Sequence, residues 1–134
     1  MTDDTQIRIL IADDSTLVRR QLRKLLETRL AGAVIDEAEN GQEAVDKVIH
    51  SSPDIAVLDV AMPVLNGLVA AERISSIAPD LPIVVHTMYA TPQIESEVKK
   101  RGATAVVPKD DVGALMSVIE RLSQEEIGTS PEWL

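Results

Sequence analysis

Five side chains stand where short apolar runs stop. Asp13 and Asp14 follow Ile7–Ala12, Asp59 follows Ile55–Leu58, Thr87 follows Pro82–His86, and Lys109 comes after Thr104–Val107 and Pro108. If those runs are parallel strands, three carboxylates, a hydroxyl and an ammonium meet at one sheet edge. Three carboxylates that close repel one another, so without a cation some stay protonated or splay apart. Oxygen-only ligands with open positions suit Mg²⁺, which keeps several waters and shares its shell readily with phosphate; Mn²⁺, which takes the same ligands, could substitute. A carboxylate can attack phosphorus and form an acyl phosphate when a metal and an ammonium neutralise the charge in transfer. Thr87 could then hydrogen-bond a phosphoryl oxygen and register its presence. Singly, each residue has an ordinary account: Asp-Asp capping a helix, Asp59 in a loop, Thr87 at a strand end, Lys109 as a solvated head. Their coincidence at successive strand ends points to a site.

Such a site needs elements to position it. A fifth run, Ala33–Ala38, joins the other four, and each is strand length and too short for a helix. Between them apolar residues recur at helical spacing: Leu17, Val18, Leu22, Leu25 and Leu26; then Ala44, Val45, Val48 and Ile49; then Leu68, Ala71, Ile74 and Ile77; and last Leu115, Val118, Ile119 and Leu122. The fourth helix offers only Ile94 and Val98. Asn40 with Glu43 resembles a capping box, Thr91-Pro92 puts a cap before a proline at the first helical position, and Asp110 or Asp111 caps the last helix. Gly102 after Lys99-Lys100-Arg101 stops a helix whose final turn is cationic. Five strand–helix units predict an α/β fold: a doubly wound, five-stranded parallel sheet with right-handed crossovers and helices on both faces.

Composition agrees. The 134 residues include 22 acidic and 13 basic side chains, a net charge of −9, no cysteine and no phenylalanine; Tyr89 and Trp133 are the aromatics. An aliphatic core of that kind suits a parallel sheet covered on both faces. Without cysteine there is neither a disulfide nor a thiolate metal site, which fits a reducing, cytoplasmic setting. No apolar run reaches the roughly 18 residues of a membrane span, the start MTDDTQIR does not read as a signal peptide, and an acidic chain is repelled by phosphate backbones. Neither membrane nor direct nucleic-acid binding is expected.

Ile9-Leu10-Ile11-Ala12-Asp13-Asp14, the segment Ala56-Val57-Leu58-Asp59-Val60-Ala61-Met62-Pro63 with Asn66-Gly67 behind it, His86-Thr87, and Gly102-Ala103 leading to Lys109 together resemble the receiver domain of two-component response regulators. The resemblance spans about residues 7–122, with residues 1–6 and 123–134 as tails. It implies a flavodoxin-like (βα)5 sheet of order 2-1-3-4-5. Asp59 is then the phospho-acceptor, supplied by a histidine kinase or histidine phosphotransfer protein. Asp14, Asp13 through water, Asp59 and the main-chain carbonyl of Ala61 hold Mg²⁺; Thr87 is the switch hydroxyl, and Lys109 pairs with phosphoryl oxygens. Such a protein is a signalling switch and no enzyme beyond its own phosphorylation and dephosphorylation. It signals to a downstream protein through its fourth helix, fifth strand and fifth helix, as a monomer or a phosphorylation-dependent homodimer. With only a dozen residues after Leu122, a stand-alone receiver is expected, an excised domain being the alternative.

Two positions depart from the family pattern. Val106 stands where an aromatic switch residue is usual, and Tyr89 is a candidate replacement. Asp110 follows Lys109 where proline often does, so a trans bond is expected there. Arg19, Arg20, Arg23 and Lys24 form a basic stripe on the first helix, either a solvated face or a kinase-docking surface. His50 reads as a surface residue and His86 as a packed neighbour of the site. Two rivals remain. An Asp-nucleophile phosphohydrolase normally has a second acid where this chain has Ala61, and a phosphorylation-independent scaffold would bind no Mg²⁺.

Overall fold

The computed structural model of the chain describes residues 6–126. Five strands, β1 (Arg8–Ala12), β2 (Val34–Ala38), β3 (Ile55–Leu58), β4 (Ile83–Thr87) and β5 (Ala105–Pro108), pair in parallel in the order β2-β1-β3-β4-β5. This is the doubly wound order expected above. Four of the apolar runs start one residue before the strand does, since Ile7, Ala33, Pro82 and Thr104 fall just outside the paired register. Thr87 belongs to β4 and does not lie past it: it faces Pro108 in register, and the Lys109 amide donates to its carbonyl at 2.8 Å.

The crossovers are α1 (Thr16–Arg29), α2 (Gly41–Ser51), α3 (Gly67–Ile77) and α4 (Pro92–Lys100), and α5 (Val112–Glu126) closes the chain. Alternation along each buried strand sends side chains to two cores. Ile9, Ile11, Ile55, Val57, Val84 and Val107 meet Leu22 and Leu26 of α1 and Leu115, Met116, Ile119 and Leu122 of α5. Leu10, Ala12, Ala56, Leu58, Ile83 and Val85 meet α2, α3 and α4 through Ala44, Val45, Val48, Ala70, Ala71, Ile74 and Val98. The stripes are narrower than expected. Leu17, Ile49 and Ile77 are 63%, 53% and 48% exposed, since a helix lying on a flat sheet buries only the residues nearest its contact line.

Each N-cap places a side-chain oxygen on an otherwise unpaired amide: Ser15 on Val18, Asn40 on Glu43, Asn66 on Val69, Thr91 on Ile94, and Asp111 on Ala114. Glu43 reaches back to the Glu39 amide at 3.0 Å, one residue short of the reciprocal box. Gly102 ends α4 at a φ of +102°, where a side chain would be strained. Helix α5 runs four residues past Leu122, and the tail with Pro131 and Trp133 lies outside the described residues.

The basic stripe on α1 resolves into two kinds of residue. Arg19 Nε and Arg23 Nε hold the two oxygens of Glu37 on β2 at 2.9 and 2.7 Å, and Arg23 Nη2 donates to the Ile35 carbonyl at 2.9 Å. Both arginines therefore bolt α1 to the outer edge of the sheet, so for these two residues neither a solvated face nor a docking surface describes their role. Arg20 and Lys24 stay exposed. Burial alone would raise the Glu37 pKa, but the hydrogen bonds from Arg23 and Arg19 outweigh it and the net shift is downward. Its stabilisation is thus present above the unfolded carboxylate value and is lost as pH falls through the folded one. Glu37→Gln is expected to lower stability by ~1–2 kcal/mol at neutral pH, with the gap to wild type closing on acidification, as read by urea titration across pH.

Candidate functional site

The carboxyl ends of β1, β3, β4 and β5 do bring the sequence-derived residues together. Asp13 is 2% exposed, Asp59 5% and Thr87 2%, whereas Asp14 faces solvent. One carboxylate oxygen from each of Asp13, Asp14 and Asp59 lies within 4.8 Å of the others. Lys109 Nζ reaches in from the end of β5, 2.7 Å from Asp13 Oδ2 and 3.3 Å from Asp59 Oδ2. A cavity of about 290 Å³, lined by Asp14, Asp59, Val60, Ala61, Thr87, Met88, Tyr89 and Lys109, opens the cluster to solvent.

The backbone fixes this geometry. The Asp59 amide donates to the Ala12 carbonyl at 2.9 Å and the Asp13 amide to the Ala38 carbonyl at 3.0 Å. Asp13 Oδ1 accepts from the Ser15 amide at 2.8 Å, and its carbonyl accepts from Arg19 Nη1 at 2.6 Å. Asp13 is therefore locked, while Asp14 faces solvent. Arg19 is a residue that sequence reasoning missed as a support of the site: its spacing from Asp13 carries no local signal, and only the packing of α1 on β1 makes the bond.

Electrostatics mark Asp59. Burial raises its pKa, the charge of Asp13 raises it further, and Lys109 only partly opposes them. Burial would lower the Lys109 pKa, but its hydrogen bond to Asp13 and the charges of Asp13 and Asp59 prevail, and the ammonium is held. One cation thus faces three carboxylates. Oxygen donors carrying that uncompensated charge, all within reach of one centre, fit a hard divalent cation, which identifies Asp13, Asp14 and Asp59 as residues that could hold a metal ion. Ala61 sits at the cavity wall.

Thr87 Oγ1 accepts from the Tyr89 amide at 3.1 Å, which leaves its proton available to another acceptor. Tyr89 itself is 67% exposed and Met88 71%, so they rim the mouth. Val106 is half-buried against the α2–α3–α4 core. The Lys109–Asp110 bond is trans, no cis peptide occurring among the described residues. His50 is exposed as expected. His86 is 3% exposed beneath the site, and its Nε2 has no partner. Burial, then the charge of Lys109, lowers its pKa from 6.5 to about 4 against the pull of Asp13, so it is neutral at neutral pH. A buried neutral histidine must charge as the protein unfolds in acid, which drains stability between those two values. His86→Leu is expected to flatten that loss, up to ~3 kcal/mol between pH 6.5 and pH 4, as read by chemical unfolding at stepped pH.

Comparison with known proteins converges on one family. Residues 9–120 match the response regulator receiver domain. The chain is 43% identical over 86 residues to a protein-glutamate methylesterase/protein-glutamine glutaminase of Caldanaerobacter subterraneus subsp. tengcongensis, covering 64% of this chain and 23% of that one. It is 36% identical over 104 residues to the transcriptional regulatory protein LnrK of Bacillus subtilis, covering 78% and 47%. The chain thus spans less than half the length of either relative. Among solved structures, a LuxR-family two-component response regulator from Aurantimonas superposes with a TM-score of 0.83 at 30% identity, covering 95% of this chain and 91% of that one. The response regulator domain of Thermotoga maritima CheB gives 0.80 at 25% identity, with 94% and 99% covered.

Proposed function

The chain belongs to the response regulator receiver family, and from that premise we propose that Asp59 accepts a phosphoryl group from a phosphohistidine on a histidine kinase or histidine phosphotransfer protein. The observation that carries this is a carboxylate only 5% exposed, at the wall of an open cavity and 3.3 Å from the Lys109 ammonium. An Asp59 oxygen attacks phosphorus, the bond from phosphorus to the imidazole nitrogen breaks, and its electron pair returns to the ring. Lys109 offsets negative charge on the phosphoryl oxygens, and Thr87, with its proton free, donates to one of them. Asp13, Asp14, Asp59 and the Ala61 carbonyl would hold Mg²⁺, with Mn²⁺ acceptable; the ion supplies positive charge to the transferring group. Water attack on the acyl phosphate returns the carboxylate, so the protein catalyses only its own phosphorylation and dephosphorylation.

The output is a change of surface read by a downstream protein. On this reading the face of α4, β5 and α5 shifts as Thr87 and Lys109 take up phosphoryl oxygens. Helix α4 is the weakly anchored member, with Val98 its one fully buried side chain among the described residues and Ile94 half-buried. Val106 is too small for a ring swing, so rearrangement there is a shift of packing. Toward the phosphodonor, α1 offers Arg20 and Lys24 with the exposed Leu17, a basic and apolar strip suited to an acidic helical partner.

Incubation with Mg²⁺ and a small phosphodonor, followed by peptide mass mapping, tests the proposal. One phosphoryl group should appear on the peptide carrying Asp59. Its absence, or its appearance on another residue, overturns the reading, and sustained turnover of phosphate esters would favour a phosphohydrolase instead.

A further inference from the structure

Between Asp59 and α3 the chain makes two consecutive three-residue turns. The Met62 amide donates to the Val60 carbonyl at 3.1 Å, and the Leu65 amide to the Pro63 carbonyl at 2.6 Å. The second turn centres on Val64 at a φ of +68°. A γ-turn of this hand is rare and strained, and a β-branched residue at positive φ is an outlier even among turns. Val64 is 80% exposed, so side-chain packing does not hold it there.

Backbone on either side does. Gly67, opening α3, lies against the Asp59 carbonyl so closely that a Cβ would overlap it, and its amide donates to the Val60 carbonyl at 2.8 Å. Gly41, opening α2, lies against the Leu65 carbonyl just as tightly. A chain of backbone contacts without clearance therefore runs from the phospho-acceptor through the loop to the first turn of α2. That turn is held by Asn40, whose side chain and carbonyl accept from the amides of Glu43 and Ala44 at 2.8 and 3.1 Å.

The geometry points to this loop as a loaded relay: strain held at Val64 is released when Asp59 carries a phosphoryl group, Leu65 lifts from Gly41, and the first turn of α2 loosens. The inference rests on Asp59 being the acceptor. A phosphoryl group crowds the cavity wall formed by Val60 and Ala61. Movement there cannot be absorbed at Gly67, which has no clearance, so it passes to the Pro63–Val64–Leu65 turn. On this inference the turn goes from its γ arrangement to an extended one, since close-packed contacts switch between discrete arrangements where they cannot deform continuously. State would then be displayed at α2 as well as on the α4 side of the sheet.

Amide hydrogen exchange of the whole chain, with Mg²⁺ and with or without beryllofluoride, tests this. In wild type, beryllofluoride should lower protection of the Glu43 and Ala44 amides several-fold. Val64→Gly removes the strain from the unliganded state and should weaken beryllofluoride binding by roughly tenfold without lowering the melting temperature, since αL strain on a non-glycine residue is worth about that factor. Val64→Ile keeps the β-branch and should behave as wild type. Binding seen at Thr87 and Lys109 with Glu43 and Ala44 unchanged, or unaltered affinity in Val64→Gly, overturns the relay and leaves the acceptor intact. No beryllofluoride binding at all overturns both.

Discussion

Asp59→Asn is expected to abolish phosphoryl incorporation and at the same time to make the protein more stable in cation-free buffer. The first half follows from the chemistry: an amide oxygen is too weak a nucleophile to form the acyl phosphate, and a loss of at least ~10³-fold is expected in a mass-mapped phosphorylation assay. The second half follows from the surroundings. Asp59 is 5% exposed, and burial followed by the charge of Asp13 raises its pKa. A carboxylate that holds its proton more tightly when folded destabilises the fold once it ionises. The penalty is absent below the unfolded value, grows as pH rises toward the folded value, and stays constant above it. Asparagine removes it, so the variant should gain ~1 kcal/mol at neutral pH and nothing at pH 3. Added Mg²⁺ should stabilise wild type more than the variant, because one of the three clustered carboxylates is gone. A variant that is less stable than wild type at neutral pH, without cation, would contradict this account of the site.

Lys109→Met has the opposite sign. Its ammonium is 2.7 Å from Asp13 Oδ2 and 3.3 Å from Asp59 Oδ2, and among the described residues these are its two ion pairs. Removing it leaves two nearly buried carboxylates facing each other. Breaking a buried pair from one side costs ~3–5 kcal/mol, but the cavity admits water and Asp14 is exposed, so ~2–3 kcal/mol is the expected loss by urea unfolding. The pKa of Lys109 is raised in spite of burial, so its contribution is present below its ordinary value and vanishes as pH climbs through the folded one. Millimolar Mg²⁺ should recover part of the lost stability by placing positive charge among the same carboxylates. It should not recover phosphorylation, which is expected to slow by about 100-fold for want of a cation on the phosphoryl oxygens. Full rescue of both by Mg²⁺ would mean that Lys109 serves only to balance the resting charge.

Much of this was legible in the amino-acid sequence, for identifiable reasons. Strands buried on both faces read as unbroken aliphatic runs, and a polar residue directly after such a run has one place to be, the carboxyl edge. Asp13, Asp14 and Asp59 were placed at that edge by this rule, and Thr87 and Lys109 by the same rule with their strand ends misplaced by one residue. Helix starts were legible because Asn40, Thr91 and Asp111 each act on the amide three residues on. The width of the buried stripes was not, since Leu17, Ile49 and Ile77 differ from their buried neighbours only in which side of the contact line they fall.

The amino-acid sequence by itself therefore determined the elements, their alternation, and which chemical groups could meet. These depend on period, run length and neighbours along the chain. Only the tertiary structure decided what depends on neighbours across it. Arg19 and Arg23 became braces on Glu37 where the sequence showed a basic stripe, and Asp13 became the member of the Asp-Asp pair that the Ser15 amide and Arg19 hold in place. His86, expected as a packed neighbour of the site, lies deep enough that burial lowers its pKa, and Gly41 and Gly67 are points of backbone contact around a strained turn. Each of those outcomes is set by distance between residues far apart in sequence, and distance of that kind exists only once the sheet has closed and the helices have packed onto it.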